Sequence, residues 1–243
     1  MRLRLRFAKT GKIRWTSHRD LARIWERAIR RARLPIAYSQ GFNPHPKLHF
    51  GLALSTGHES VAEYIDLDLD DASPDLPGPG ELAELPARLT EVLPVGVEVT
   101  AVGVIASNAT SLQQAVVSSE WDIEIRAVAP DLVAEAIERA LAAETITITR
   151  QRKGRDVTDN VRPYLLDLAV LGPSDVGTTI HAHLATQPRG LRIGELLAVL
   201  GPGWDEGRVR RTDQWTLVDG ARCAPLGGPA EATSTPQHAA MAS

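Results

Sequence analysis

A row of arginines at helical spacing lies near the start of the chain. Arg19, Arg23, Arg27 and Arg30 follow one another at intervals of three and four residues, which places them along one helix face. Residues 19–33 hold six arginines and only two carboxylates. Like charges at this spacing repel by about a few tenths of a kcal/mol per pair. The row favours a helix that binds a phosphate backbone; the alternative is a solvated face with no partner.

The segment after this helix is a loop rich in glycine and proline. Gly41 permits a positive φ, while Pro44 and Pro46 stiffen the backbone. Rings that stack on bases, amides that read base edges and a lysine for phosphate suit single-stranded RNA. The alternative is a loop whose phenylalanine and prolines plug a sheet edge. The predicted RNA-binding residues of the helix, the loop and the strand before them are Arg14, His18, Arg19, Arg23, Arg27, Arg30, Tyr38, Gln40, Phe42, Asn43, His45 and Lys47.

The distribution of charge supports a polyanionic partner. Residues 1–50 contain 13 lysines and arginines against two acids, a net +11, whereas the rest of the chain contains 14 bases and 28 acids, a net −14. Such asymmetry within one chain indicates that the basic part meets a polyanion. The alternative is internal neutralisation, with the basic segment packed against an acidic one.

Motifs for metals and cofactors are missing from the sequence. The single cysteine, Cys223, excludes an internal disulfide and a cluster ligated by cysteines of this chain alone. His45 and His49 flank a proline loop, and His181 and His183 could share a strand face, but no HExxH motif is present. No glycine-rich phosphate loop follows a strand. We therefore predict neither a metal site nor a cofactor.

The periodicity of apolar residues predicts an α+β fold. Residues 2–7 alternate as a half-buried strand, and Ser17 is a good N-cap for a helix that ends before Pro35. The first half continues with strands within 36–54, at 62–69 and at 95–105, and with a helix at 81–93 that Pro86 either splits or starts anew. The second half reads as strands at 121–126, 145–149, 164–171, 180–184 and 215–218, with helices at 132–143 and 193–200.

Both halves follow the order β-α-β-β-α-β, which predicts two consecutive ferredoxin-like units with antiparallel sheets. The expected division is a basic N-terminal half (1–106), a linker (107–119), a C-terminal half (120–222) and a disordered tail (223–243), the tail because its composition lacks periodicity. The chain has no apolar stretch long enough to span a membrane, and its first residues lack the apolar segment of a secretory signal. A cytoplasmic protein is expected.

A motif in the second half predicts a structural contact. Asp159 and Arg162 are three residues apart, and Pro163 fixes the backbone at the entry to a strand. We expect Arg162 or Arg211 to pair with Asp159 and to hold the halves together. The alternative is that Arg162 and the turn at 150–155 extend the basic surface.

The run from Thr16 to Lys47 resembles the radical SAM-linked (radical SAM-associated) protein family, a bacterial domain of unknown function. The segments 57–60, 63–66, 159–165 and 210–212 also fit this family. The resemblance implies a partner that is a radical SAM enzyme or a ribonuclease. Because the chain lacks a CxxxCxxC motif, any radical chemistry belongs to the partner.

Together these features predict a non-catalytic RNA-binding accessory protein, linked to RNA modification or processing. A protein-interaction subunit that docks a radical SAM enzyme is the alternative. A third possibility is a metal-independent RNA-processing enzyme in which His18, Tyr38 and His45 act as general acids and bases.

Overall fold

The computed structural model describes residues 1–226 except Lys153. The elements of the first half are β1 (Arg2–Lys9), α1 (His18–Arg31), β2 (Leu48–Phe50), β3 (Glu59–Asp68), α2 (Pro79–Val92) and β4 (Val97–Ile105). The elements after it are α3 (Leu112–Ala115), β5 (Val116–Arg126), α4 (Pro130–Ala142), β6 (Thr147–Arg152), β7 (Arg155–Asn160), β8 (Leu165–Ser174), β9 (Gly177–Ala185), α5 (Ile193–Leu200), β10 (Glu206–Val218) and β11 (Ala221–Cys223).

One nine-stranded sheet runs through both halves, so the predicted mixed α+β fold with mostly antiparallel strands is confirmed. Its main order is β4-β1-β3-β10-β5-β9-β8, while β2 also pairs with β3 and β11 with β10. Within the first half the antiparallel order is β4-β1-β3-β2, and within the second it is β10-β5-β9-β8. The halves meet where β3 and β10 run parallel over two residue pairs, Glu59 with Arg210 and Ser60 with Arg211.

Apolar side chains of the sheet and helices form one core cluster in each half. In the first, alternate residues of β1 and β3 pack under α1 and α2, where Phe7 meets Trp25 edge-on at 5.0 Å between ring centroids. In the second, β5, β9 and β10 pack under α4 and α5. The antiparallel hairpin of β6 and β7 forms a separate two-stranded sheet.

Some predicted element and segment boundaries differ from the structure. Pro86 does not split its helix, because α2 continues through it from Pro79. Strand β5 begins at Val116, within the predicted linker, and its first residues pair with both β9 and β10.

The predicted tail also begins too early. Asp219 and Gly220 both have positive φ, and their turn returns the chain as β11, which contains Cys223. The carbonyl of Pro225 accepts a hydrogen bond of 3.0 Å from Arg4, and Leu226 packs beside Tyr64. The remainder of the predicted disordered tail, residues 227–243, lies outside the described residues.

Candidate nucleic-acid interface

Helix α1 presents its arginines to solvent because its other face is fixed in the core. The Ser17 side chain accepts a hydrogen bond from the Asp20 amide, as expected of an N-cap, and Trp25 is fully buried. The exposed arginines of α1 and the residues just after it are Arg19, Arg23, Arg27, Arg30, Arg31 and Arg33. Within the described residues, the ion pair of this set is Arg23 with Asp20, at 3.2 Å. The arginine row is therefore on the surface and largely lacks acidic partners.

The arginines of β1 have the opposite environment. Arg4 is buried and binds Asp66 with two hydrogen bonds of 2.7 and 2.8 Å. Its neighbours Arg2 and Arg6 pair with Asp68 and Asp213, at 2.5 and 3.3 Å. The acids lie on β3 and β10, so internal neutralisation, the alternative from the charge distribution, describes this part of the basic segment.

Two further residues of the predicted RNA-binding set contact side chains outside α1. The guanidinium of Arg14 is 3.3 Å from the Glu59 carboxylate and lies over the Trp15 ring at 5.3 Å. The His18 ring, at the start of α1, meets Phe50 edge-on at 5.0 Å. Arg14 is thus already engaged by a carboxylate, whereas His18 remains exposed.

The predicted loop is a tight hairpin that precedes β2, closed by a bridge between Tyr38 and Pro46. The Ser39 amide donates to the His45 carbonyl at 2.8 Å, and the His45 amide donates to Ser39 Oγ at 3.0 Å. Gly41, at the tip, has a φ of +132°. The side chains that this hairpin exposes are Tyr38, Gln40, Phe42, Asn43, His45 and Lys47. Because Phe42 is fully exposed, the idea that it plugs a sheet edge is wrong.

The histidines and acids of the described residues include no group of three side chains placed to hold a metal ion. His49 lies 3.3 Å from Asp68. On the sheet face away from the helices, His181 lies 3.6 Å from Asp122, a contact that raises the pKa of His181 despite its burial. His183 contacts Ser118 at 2.8 Å, and burial lowers its pKa. No helix of the described residues has the length and apolar character needed to cross a membrane.

The predicted contact of Asp159 with Arg162 or Arg211 is wrong. Asp159 instead pairs with Arg150 at 2.9 Å and Arg189 at 3.3 Å. Arg162 donates to three backbone carbonyls at the end of α4 and the start of β8, those of Leu141, Ala143 and Leu165, at 2.8–3.1 Å. Arg162, the first residue of the 3-10 turn at residues 162–164, thus caps the C-terminal end of α4, where carbonyls lack partners within the helix.

Arg211 does hold the halves together, but through a residue that the sequence analysis missed. Its side chain is 1% exposed and donates to Glu63 of β3 at 2.8 and 3.1 Å and to the Leu52 carbonyl at 3.1 Å. It also lies over the Trp121 ring at 5.0 Å.

A second buried carboxylate reinforces this junction. Glu59 accepts hydrogen bonds from the Gly11 amide, Arg14 and Arg210. Burial raises the pKa of Glu59, but these bonds and the nearby Arg208 outweigh it and leave the pKa below its usual value. The signal in the sequence is a strand that carries four acids, among them Glu59 and Glu63 four residues apart, with adjacent arginines at residues 210 and 211.

The fold and the exposed basic helix define a mixed α+β protein with a mostly antiparallel sheet and a cationic surface. The sequence profile of a family described as an uncharacterized protein conserved in bacteria (DUF2344) matches residues 2–192. The chain belongs to that family.

No curated protein matches the chain. Among solved structures, it is similar to a chain in "Crystal Structure of a Cbf5-Nop10-Gar1 Complex", with 12% sequence identity and a TM-score of 0.48. The match covers 87% of this chain and 48% of that one, so this chain spans about half the length of its solved neighbour.

Proposed function

We propose that this protein is a non-catalytic RNA-binding accessory that serves RNA modification or processing. The observation that carries the proposal is the exposed face of α1, where Arg19, Arg27 and Arg30 have no acidic partner within the described residues. Arginines held together without carboxylates repel one another. A phosphate backbone relieves that repulsion and releases its own counterions, which makes the binding favourable and dependent on salt.

The hairpin at residues 38–47 supports single-stranded RNA as the target. Hydrogen bonds between Ser39 and His45 join the two arms of the hairpin, so its backbone has little freedom to lose when bases stack on the exposed rings of Tyr38 and Phe42. Exposed amides on Gln40 and Asn43 can read the Watson–Crick edges of bases, which are accessible only in unpaired RNA. We assign backbone contacts to α1 and base contacts to the hairpin.

We also propose that each half is a ferredoxin-like unit. The strand orders β4-β1-β3-β2 and β10-β5-β9-β8 correspond to each other, and in each half a helix follows the first and the third of these strands along the chain. The β6–β7 hairpin is then an insertion in the second unit. The resemblance to radical SAM-linked proteins supports a radical SAM enzyme or a ribonuclease as the partner that performs the chemistry, in the cytoplasm.

The test is the salt dependence of RNA affinity. A labelled single-stranded RNA is titrated at several salt concentrations with the unmodified chain, with Arg27→Gln/Arg30→Gln, and with a control pair of exposed arginines, Arg139→Gln/Arg222→Gln. Each lost phosphate contact lowers the slope of log affinity against log salt by about 0.7 for single strands, so the α1 pair should lower it by about 1.4. The control pair should leave the slope unchanged.

Absence of RNA binding, or equal slopes for the two variant pairs, would reject the proposal. A complex with a radical SAM enzyme or a ribonuclease that survives nuclease treatment, from a protein that binds no RNA, would identify a docking subunit instead. Defined cleavage of RNA by the pure protein without divalent metal would identify an enzyme.

A further inference from the structure

A cleft of about 530 Å³ lies between the halves, beside the buried Arg211. Its volume is in the range of cavities that bind small molecules, which often lie at the boundary between domains. Much of its wall is apolar and includes Leu54, Trp121, Leu184 and Leu191. None of the RNA-binding residues assigned above lines it.

The charged groups on the wall of the cleft are cations. Arg211 and Arg192 both line it, and no carboxylate of the described residues does. Two nitrogens of the Arg211 guanidinium bind Glu63 and the Leu52 carbonyl, while its Nη1 donates no hydrogen bond to a described residue. Arg192 is exposed and has no ion pair within the described residues. The cleft therefore offers hydrogen-bond donors to a negatively charged group.

The start of α5 also forms part of the wall, because Ile193, its first residue, lines the cleft. The first amides of a helix lack partners within it and attract anions; the Glu195 carboxylate of the same turn accepts a hydrogen bond from the Arg192 amide at 2.9 Å. His58 also lines the cleft and is 7% exposed; its Nε2 lies 2.9 Å from Glu206.

We propose that this cleft binds a small organic anion with an apolar body. The carboxylate or phosphate of the ligand lies near Arg192, Arg211 and the first turn of α5, and its apolar part lies against Trp121 and the leucines. Because Arg211 joins β10 to β3, a ligand here contacts both halves at their junction. The site is separate from the α1 surface, so the proposal goes beyond RNA binding and stands independently of it.

The experiment is a displacement titration on the full chain with the fluorescent probe anilinonaphthalenesulfonate. Octanoate and octyl phosphate are the anionic competitors, and octanol is the uncharged competitor with the same body. We expect a single saturable site from which an anion displaces the probe at a concentration at least about tenfold below that of octanol, because hydrogen bonds to charged groups contribute strongly. The tighter of the two anions identifies the head group as carboxylate or phosphate.

Two variants locate the site. Arg192→Glu should weaken the binding of the tighter anion at least about tenfold, and Ala185→Leu, on the cleft wall, should block it by filling the space. Arg155→Glu makes the same charge change on the distant β7 and should have no effect. Thermal unfolding verifies that each variant folds. Displacement by octanol at the same concentration as by the anions, or anion affinity unchanged in Arg192→Glu, would overturn the proposal.

Discussion

The arginines of β1 and of α1 are close in sequence but have opposite surroundings. In β1, Arg2 and Arg4 stand at register positions opposite Asp68 and Asp66 on β3, so the pleat itself brings each cation to an acid. In α1, the neighbours at three and four residues are mostly other arginines. A high local charge therefore indicates a polyanion partner only where the secondary structure leaves the charges without acidic neighbours.

Ion pairs and burial within the fold reduce the positive charge that is available for binding RNA. Of the 13 bases in residues 1–50, five form ion pairs with acidic side chains of the described residues. Lys9 is buried and donates to the carbonyls of Arg14 and Thr16, and burial lowers its pKa. The remaining surface charge is concentrated on α1, which is where the proposed function needs it.

The largest expected effect comes from breaking a β1 pair. Arg4→Met leaves the buried carboxylate of Asp66 without a partner, which should lower the free energy of unfolding by about 3–5 kcal/mol. Arg27→Met, on the exposed face of α1, should change it by less than about 0.5 kcal/mol. Urea denaturation measures both. An equal loss of unfolding free energy for the two variants would contradict the distinction between paired arginines on β1 and unpaired arginines on α1.

In the second half, the partly buried Arg162 donates hydrogen bonds to backbone carbonyls. Arg162→Ala removes three hydrogen bonds at the end of α4, so the free energy of unfolding should fall by about 2–3 kcal/mol. RNA affinity should not change. A normal unfolding curve together with weakened RNA binding would show that Arg162 belongs to the basic surface after all.

The next largest expected effect comes from the tip of the hairpin at residues 38–47 and concerns RNA affinity alone. Phe42 is fully exposed, so Phe42→Ala should leave the unfolding curve unchanged. Loss of one stacked base should weaken single-stranded RNA binding by about 1–3 kcal/mol. The control is Val95→Ala, which truncates an equally exposed apolar side chain outside the hairpin. Equal RNA affinity for both variants would show that the hairpin does not take part in RNA binding at the α1 surface.

The smallest effect depends on pH and concerns two histidines of β9. The hydrogen bond to Asp122 raises the pKa of His181, so this contact stabilises the fold below about pH 6.5 and is lost as the pH rises through the folded-state pKa. Burial lowers the pKa of His183, so its protonation opposes folding in acid. His181→Asn should therefore cost more stability at acid than at alkaline pH, and His183→Asn should show the opposite trend. Parallel pH profiles of the two variants would contradict these assignments.

Local patterns in the sequence predicted the parts of this molecule that depend on near neighbours. The alternation of residues 2–7 predicts β1 with its arginines on one face, and Ser17 predicts the start of α1. The exposure of the arginine row follows from the apolar stripe around Trp25. These features are set by the period of the backbone and by contacts within a few residues.

Long-range partners could not be predicted in the same way. Asp159 was expected to meet Arg162 because they are neighbours in sequence, but the β6–β7 hairpin carries Asp159 to Arg150 instead. The contact of Arg211 with Glu63 requires β10 to lie beside β3, and no local pattern specifies which strand of one half joins the other. The cleft between the halves depends on the same junction and could not be predicted from the sequence for the same reason.

The most direct test of the central claim is the reactivity of individual arginines with phenylglyoxal, followed by mass spectrometry with and without single-stranded RNA. Arg19, Arg27 and Arg30 should react quickly in the free protein and become protected when RNA is added. Arg4 should react slowly in both conditions, because Asp66 already holds its guanidinium in the core. Unchanged reactivity of the α1 arginines in saturating RNA would contradict the account.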